Sequence, residues 1–242
     1  MIGHVFLLGA ALMQSPMPAD ANSQLELIVA RARARTQADV VNKRDKLLFN
    51  RIETTQPLRP DGTVITSSVE TFLIYGCGTR ICKQLMMVDG RNITAAPEYT
   101  EDFLDEKFFD RYEYQFASPI AAVVNDRQCY AITFKPKNKS PYNDTDMDEI
   151  LNLMTGTIYV DVENSIVWNI QAVMSHNISK LFGIAGVWQF DFAIEQQLFE
   201  GIAGGKTVTI TVRFKRPFQG KKFERHFIVN TDYRYRDVNP SQ

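Results

Sequence analysis

Thr157-Ile158-Tyr159-Val160-Asp161-Val162, then Glu163-Asn164-Ser165, then Ile166-Val167-Trp168-Asn169-Ile170-Gln171-Ala172-Val173 is the stretch on which the fold of this chain turns. Both arms alternate apolar and polar residues, and turn-forming residues lie between them, which predicts a β-hairpin. A third run follows at once. From Val187 to Ile194, strand spacing puts Trp188, Phe190, Phe192 and Ile194 on one face and Gln189, Asp191 and Ala193 on the other. A sheet that is aromatic on one side must cover that side with helices, with another sheet or with a ligand.

The same reading extends outward. Val64–Tyr75 and Ile81–Val88 read as a meander closed by Asp89-Gly90, and Tyr112–Ser118 and Gln128–Phe134 as two further strands. Lys206–Arg216 alternates without a break, with Val208, Ile210, Val212 and Phe214 facing one way and threonines and basic residues the other. Lys222–Tyr235 is the last strand, for about nine in all, mostly antiparallel. Helices are expected at Gln24–Phe49 (one helix or two segments), Tyr99–Arg111 and Asp144–Met154, from apolar residues at helical spacing, with the chain turning extended over Lys46–Gln56. No repeat, low-complexity tract or linker divides the 242 residues. With 45% hydrophobic residues and 23% charged, the chain is too apolar to be disordered.

A net charge of −1 argues against a general polyanion binder, so no nucleic-acid partner is expected. The charge is segregated, however. Glu98–Glu113 is acidic, and Lys206–Arg236 is basic. The two stretches are either solvated faces that pair across the fold, or a basic rim for an anionic headgroup or acidic partner.

At the N-terminus, Val5–Met13 is apolar but too short to span a bilayer, and Ala19-Asp20-Ala21 is a small-x-small site. Residues 1–21 are therefore expected to be a signal peptide cleaved before Asn22, leaving 22–242 as a single domain. The region before the apolar run has only the α-amino group and His4 as basic groups; the other reading is a buried N-terminal segment of a cytosolic protein. Nothing else is apolar and long enough to cross a membrane as a helix.

Cys77 and Cys82 flank Gly78-Thr79-Arg80-Ile81. A two-residue turn at Thr79-Arg80 would set them opposite one another, within reach of a disulfide; three inert buried thiols, Cys129 included, is the alternative. No nucleophile elbow, phosphate loop, dinucleotide fingerprint or zinc pattern is present. Gly201–Gly205 reads as a turn. Asp144, Asp146, Asp148 and Glu149 lack the glycine of a calcium loop and read as N-terminal helix charge. No metal, cofactor or enzymatic activity is expected.

An order of features recurs in known proteins. An N-terminal helix is followed by the turn Val88-Asp89-Gly90-Arg91-Asn92, the strand Tyr130-Ala131-Ile132-Thr133-Phe134-Lys135-Pro136-Lys137, and Thr155-Gly156-Thr157-Ile158-Tyr159-Val160-Asp161. This resembles the outer-membrane lipoprotein-sorting superfamily, the LolA/LolB-like carriers, and most of all its uncharacterised bacterial members. The resemblance covers Leu25–Asp237. It implies an α+β, mostly β fold: a strongly curved antiparallel sheet (half-barrel) wrapped over helices, with an apolar cavity between them. It further implies an exported bacterial protein, periplasmic or secreted, since characterised members carry acylated lipoproteins across the periplasm.

Burying one methylene is worth about 0.8 kcal/mol, so a sixteen-carbon chain costs on the order of 12 kcal/mol to hold in water. A curved sheet with an aromatic inner face would offset that cost. The residues expected to bind lipid or lipoprotein acyl chains are Trp168, Ile170, Trp188, Phe190, Phe192, Val212 and Phe214, with Leu181, Phe182 and Ile184 in a lid loop. Plain core packing is the competing reading of the same residues. An envelope interaction module of this fold with a filled core, meeting a protein partner, is the competing function.

Overall fold

A computed structural model describes residues 19–100, 104–118, 121–180, 184–218 and 220–236. The expected signal segment up to residue 18, and Leu181 and Phe182 of the expected lid, lie outside the described residues.

Helix α1, Ala19–Lys46, contains no Gly or Pro and is rich in Ala and Arg, both favourable in helices. Its last turn carries Lys43, Arg44 and Lys46, which suits the negative end of the helix dipole. Leu25, Ile28, Ala32, Thr36 and Asp39 are its buried stripe, spaced by threes and fours. The stripe is apolar in the first half and polar in the second. Helix to Phe49 and extended chain from Lys46 were both expected, and the extended reading holds. Leu47 opens strand β1, Leu47–Pro57, because Leu47 and Phe49 bury alternately against the sheet, at period two rather than 3.6.

Thirteen further strands are described, more than the nine expected because several short edge pieces carry no periodicity of their own. They are β2 Ser68–Cys77, β3 Arg80–Val88, β4 Arg91–Asn92, β5 Glu98–Thr100, β6 Tyr112–Phe116, β7 Ala122–Val124, β8 Arg127–Pro136, β9 Met154–Asp161, β10 Val167–Met174, β11 Ile178–Lys180, β12 Ala185–Phe199, β13 Ile202–Lys215 and β14 Lys221–Tyr235. All join one antiparallel sheet in the order β4-β3-β2-β1-β14-β13-β12-β10-β9-β8-β6. The first strand lies beside the last, in the middle of the sheet.

Chain length shows that this sheet is bent. β5 pairs with the outer side of β3, and in a flat sheet it would lie ten strand spacings from β6, or about 48 Å. Eleven residues separate Thr100 from Tyr112. Six of them form α2, Glu106–Arg111, so the segment reaches only about 30 Å. The edges must therefore approach one another on the side where α2 lies. The fold is an open, curved antiparallel sheet over helices, as the resemblance implied.

Local chemistry corrects several boundaries. The acidic stretch is not one helix. Glu98–Thr100 is strand, and α2 starts only after Asp105, whose side chain caps it by accepting from Phe108 N. Helix α3, Asp146–Leu151, has a capping box between Thr145 and Asp148, so its acidic N-terminus is helix chemistry. The β2–β3 turn is at Gly78-Thr79, with Gly78 at φ +65°, and Cys77 pairs with Arg80. Cys82 pairs with Tyr75, so the cysteines are diagonal rather than opposite; they are joined as a disulfide with Cα atoms 5.8 Å apart. The glycine-rich segment turns at Glu200-Gly201, and Ile202–Gly205 already belongs to β13.

Candidate functional site

The expected binding face divides. Ile170, Phe190 and Phe192 are buried in the main core, with Val212 packed beside them, against Leu25, Ile28 and Ala32 of α1 and Phe108 and Phe109 of α2. At this end, protein side chains fill the concave side of the sheet. Trp168 is elsewhere. Val167 pairs with Val160 and Asn169 with Tyr159, so Trp168 is the extra residue of a β-bulge. It packs in a separate cluster with Cys129, Ile166 and Ala203, its ring 4.3 Å from the Arg127 guanidinium. Trp188 is a second bulge residue, between Val187, paired with Phe214, and Gln189, paired with Arg213. Its ring lies by Lys221, and Phe214 lies by Arg216, both outside the buried core. Ile184 is exposed.

None of those seven residues lines the cavity. A space of about 410 Å³ lies further along the concave side, between the second half of α1 and strands β1, β2 and β12–β14. Its sheet wall includes Leu47, Phe49, Ile74, Ile194, Val208, Ile210 and Ile228. α1 covers it with Thr36, Asp39 and Lys43. Leu104, Phe108, Leu151 and the α2–α3 pair close one side. Small-molecule sites occupy roughly 300–1,000 Å³ and are mostly apolar with a few convergent polar groups. The alternation of β12 and β13 points this face inward; the signal for the space itself is the switch of the α1 stripe from Leu25, Ile28 and Ala32 to Thr36 and Asp39.

The polar side of the cavity is largely self-satisfied. Arg35 Nε donates to Asp39 at 2.8 Å. Arg51 Nε donates to Asn230 Oδ1 at 3.0 Å, and Asn230 Nδ2 and the Tyr233 hydroxyl donate to the Gly205 carbonyl at 2.9 and 2.7 Å. Tyr233 stacks on Phe49 with ring centres 4.5 Å apart. Gln196 differs. It is buried and lines the cavity, yet its amide forms no hydrogen bond with another described side chain or backbone group. That leaves a donor and an acceptor facing the space.

The α2–α3 rim is held by charge. Arg111 is buried and donates to Asp148 and, at 2.9 Å, to Asn152 Oδ1; the Tyr112 hydroxyl donates to the Leu151 carbonyl at 2.7 Å. The bond from Arg111, joined by that from Thr145, holds the Asp148 carboxyl below its usual range. Burial pushes the Tyr112 and Tyr114 phenols up. Among the described residues no group of three or more His, Cys, Asp and Glu side chains converges as a metal site needs. No described helix is long and apolar enough to cross a membrane.

No family model and no curated protein matches the chain. Solved structures do. A LolA superfamily protein from Nitrosomonas europaea is 10% identical, aligned over 86% of this chain and 96% of that one, with a TM-score of 0.39. A DUF1329 family protein from Desulfovibrio piger is 12% identical over 89% of this chain and 94% of that one, TM-score 0.40. MucB, solved in complex with MucA(peri), is 9% identical over 88% of this chain and all of that one, TM-score 0.27.

Proposed function

We propose that this chain is a non-enzymatic binding protein for an amphipathic ligand with one apolar chain, a lipid or a lipoprotein acyl group, working in the periplasm after export. One observation carries the reading. The concave side of the sheet is filled around Phe190 and Phe192, whereas next to it an open space remains, walled on the sheet side by Val208 and Ile210, which touch the core with part of their surface, and by Ile228. An unfilled apolar space loses dispersion contacts along its whole lining, and a chain of methylenes restores them. The Gln196 amide supplies hydrogen bonding for the ligand's polar end. The filled half favours the competing reading, an interaction module with no ligand; the open space beside it does not.

Native mass spectrometry of the exported protein tests this. The expected result is a co-purified lipid or acyl mass that is lost on Val208→Trp, a substitution that fills the cavity. Protein that carries no such mass, or whose bound mass is unaffected by Val208→Trp, overturns the proposal and leaves the interaction module.

A further inference from the structure

The end of the sheet away from the cavity presents a different surface. Three connections meet there on neighbouring strands. The β13–β14 hairpin tip carries Lys215, Arg216, Phe218, Lys221 and Lys222. The β1–β2 connection lies against it, with Leu58 N donating to the Phe223 carbonyl at 2.7 Å, and brings exposed Arg59, Val64 and Ile65. The start of β12, where Gly186 pairs with Lys215, brings exposed Ile184 and the partly buried Trp188.

Two features of this end are unusual together. Phe218 is 100% exposed, on a residue with φ +59°, so the tip holds a phenyl ring in water with nothing of its own to bury it. Around it, residues 213–223 contain five basic side chains and no acidic one. Asp61 on the adjacent connection is occupied by its own loop, accepting from the Thr63 backbone and hydroxyl at 2.9 and 2.8 Å. Rings support the cations: Arg213 over Phe223 at 4.0 Å, Arg216 over Phe214 at 5.5 Å and Lys221 over Trp188 at 5.3 Å.

We propose that this end docks on an anionic lipid bilayer surface, with Phe218, Ile65 and Ile184 entering the headgroup region and Lys215, Arg216, Lys221 and Lys222 lying over lipid phosphates. An acidic protein would answer the charges, but it would also have to supply an apolar pocket for the ring and for Ile65 and Ile184 on the neighbouring connections. A bilayer interface answers both, because aromatic residues settle at headgroup level while basic residues are attracted by the surface potential. This does not depend on what the cavity holds.

The test uses the full chain with vesicles of phosphatidylcholine alone and of phosphatidylcholine mixed with phosphatidylglycerol, read by flotation and by the emission of Trp188 in a Trp168→Phe background. Flotation with the anionic vesicles only, a blue shift of Trp188, and reversal by salt are expected. Lys221→Gln with Lys222→Gln should weaken binding about thirtyfold, taking near-surface charges at about 1 kcal/mol each, and Phe218→Ser should abolish the blue shift. The variants share the N-terminal apolar run, so any difference belongs to the tip; unchanged circular dichroism confirms the fold. Equal binding to neutral vesicles, no binding to either, or unaltered binding by the variants overturns the proposal. So does binding to polyglutamate without binding to vesicles, which would instead indicate an acidic partner.

Discussion

Arg111, at the end of α2, donates to Asp148 in the first turn of α3, and with Asn152 this is how a buried guanidinium is satisfied at the cavity rim. Asp148→Asn would leave that cation without its counter-charge, and breaking such a pair from one side costs about 3 kcal/mol. The pH dependence follows from the direction of the shift. The folded carboxyl is held below its ordinary value, so its contribution is complete above the ordinary carboxylate range and is lost as pH falls through the lowered folded value. Urea titrations should show the full deficit of Asp148→Asn at neutral pH and a shrinking one under strong acid. A deficit independent of pH would show that the ion pair is not its source.

Phe192 and Val208 separate core from cavity. Phe192 packs on Phe190 and the main core, so Phe192→Ala should cost about 3–5 kcal/mol. Val208→Trp projects into existing space and should cost far less while displacing ligand. A Val208→Trp protein that is as unstable as Phe192→Ala would mean that the space closes in solution.

Cys129 should be inert. It is fully buried, and desolvation pushes its thiol up to about 11. Native protein at pH 8 is expected to give no reaction with a thiol reagent, and denatured, unreduced protein one equivalent, since Cys77 and Cys82 are joined. Replacing that pair by serines should cost about 2 kcal/mol, the loop being short. Two or more equivalents without reductant would contradict the bridge.

The central strands were legible because they alternate, and Ile170, Phe190, Phe192 and Val212 were placed on the inner face by spacing; the curvature over helices came only with the resemblance. The true place of the two tryptophans was not legible. Each is the inserted residue of a bulge, and an insertion changes the face that a side chain takes without leaving a mark in the hydrophobic pattern. The cavity was hidden for another reason. Val208, Ile210 and Ile228 look the same in sequence whether a helix or nothing lies opposite. What lies opposite depends on α1, whose buried stripe changes from Ala32 to Thr36 and Asp39 at that point.

Gly156 lies in the Thr155–Asp161 stretch on which the resemblance partly rests, and its small size has a physical reason. It stands in a row across four strands: Phe134 on β8, Gly156 on β9, Ala172 on β10 and Phe192 on β12. Two small residues between two rings let β9 and β10 come close. A Cβ at Gly156 would collide with the Gln171 carbonyl oxygen and sit 2.8 Å from the Ala172 Cα, both backbone atoms of the paired strand. The backbone conformation is not the obstacle, because Gly156 is not in the left-handed region. The strands themselves must part. Gly156→Ala is expected to cost about 3 kcal/mol, the upper end of overpacking. Gly220→Ala, where a Cβ would meet nothing within 4 Å, serves as the control and should leave the urea midpoint where it is. Equal midpoints for both variants would mean that the β9–β10 pair has room to shift, and that the row of Phe134, Gly156, Ala172 and Phe192 does not set the spacing of the inner face.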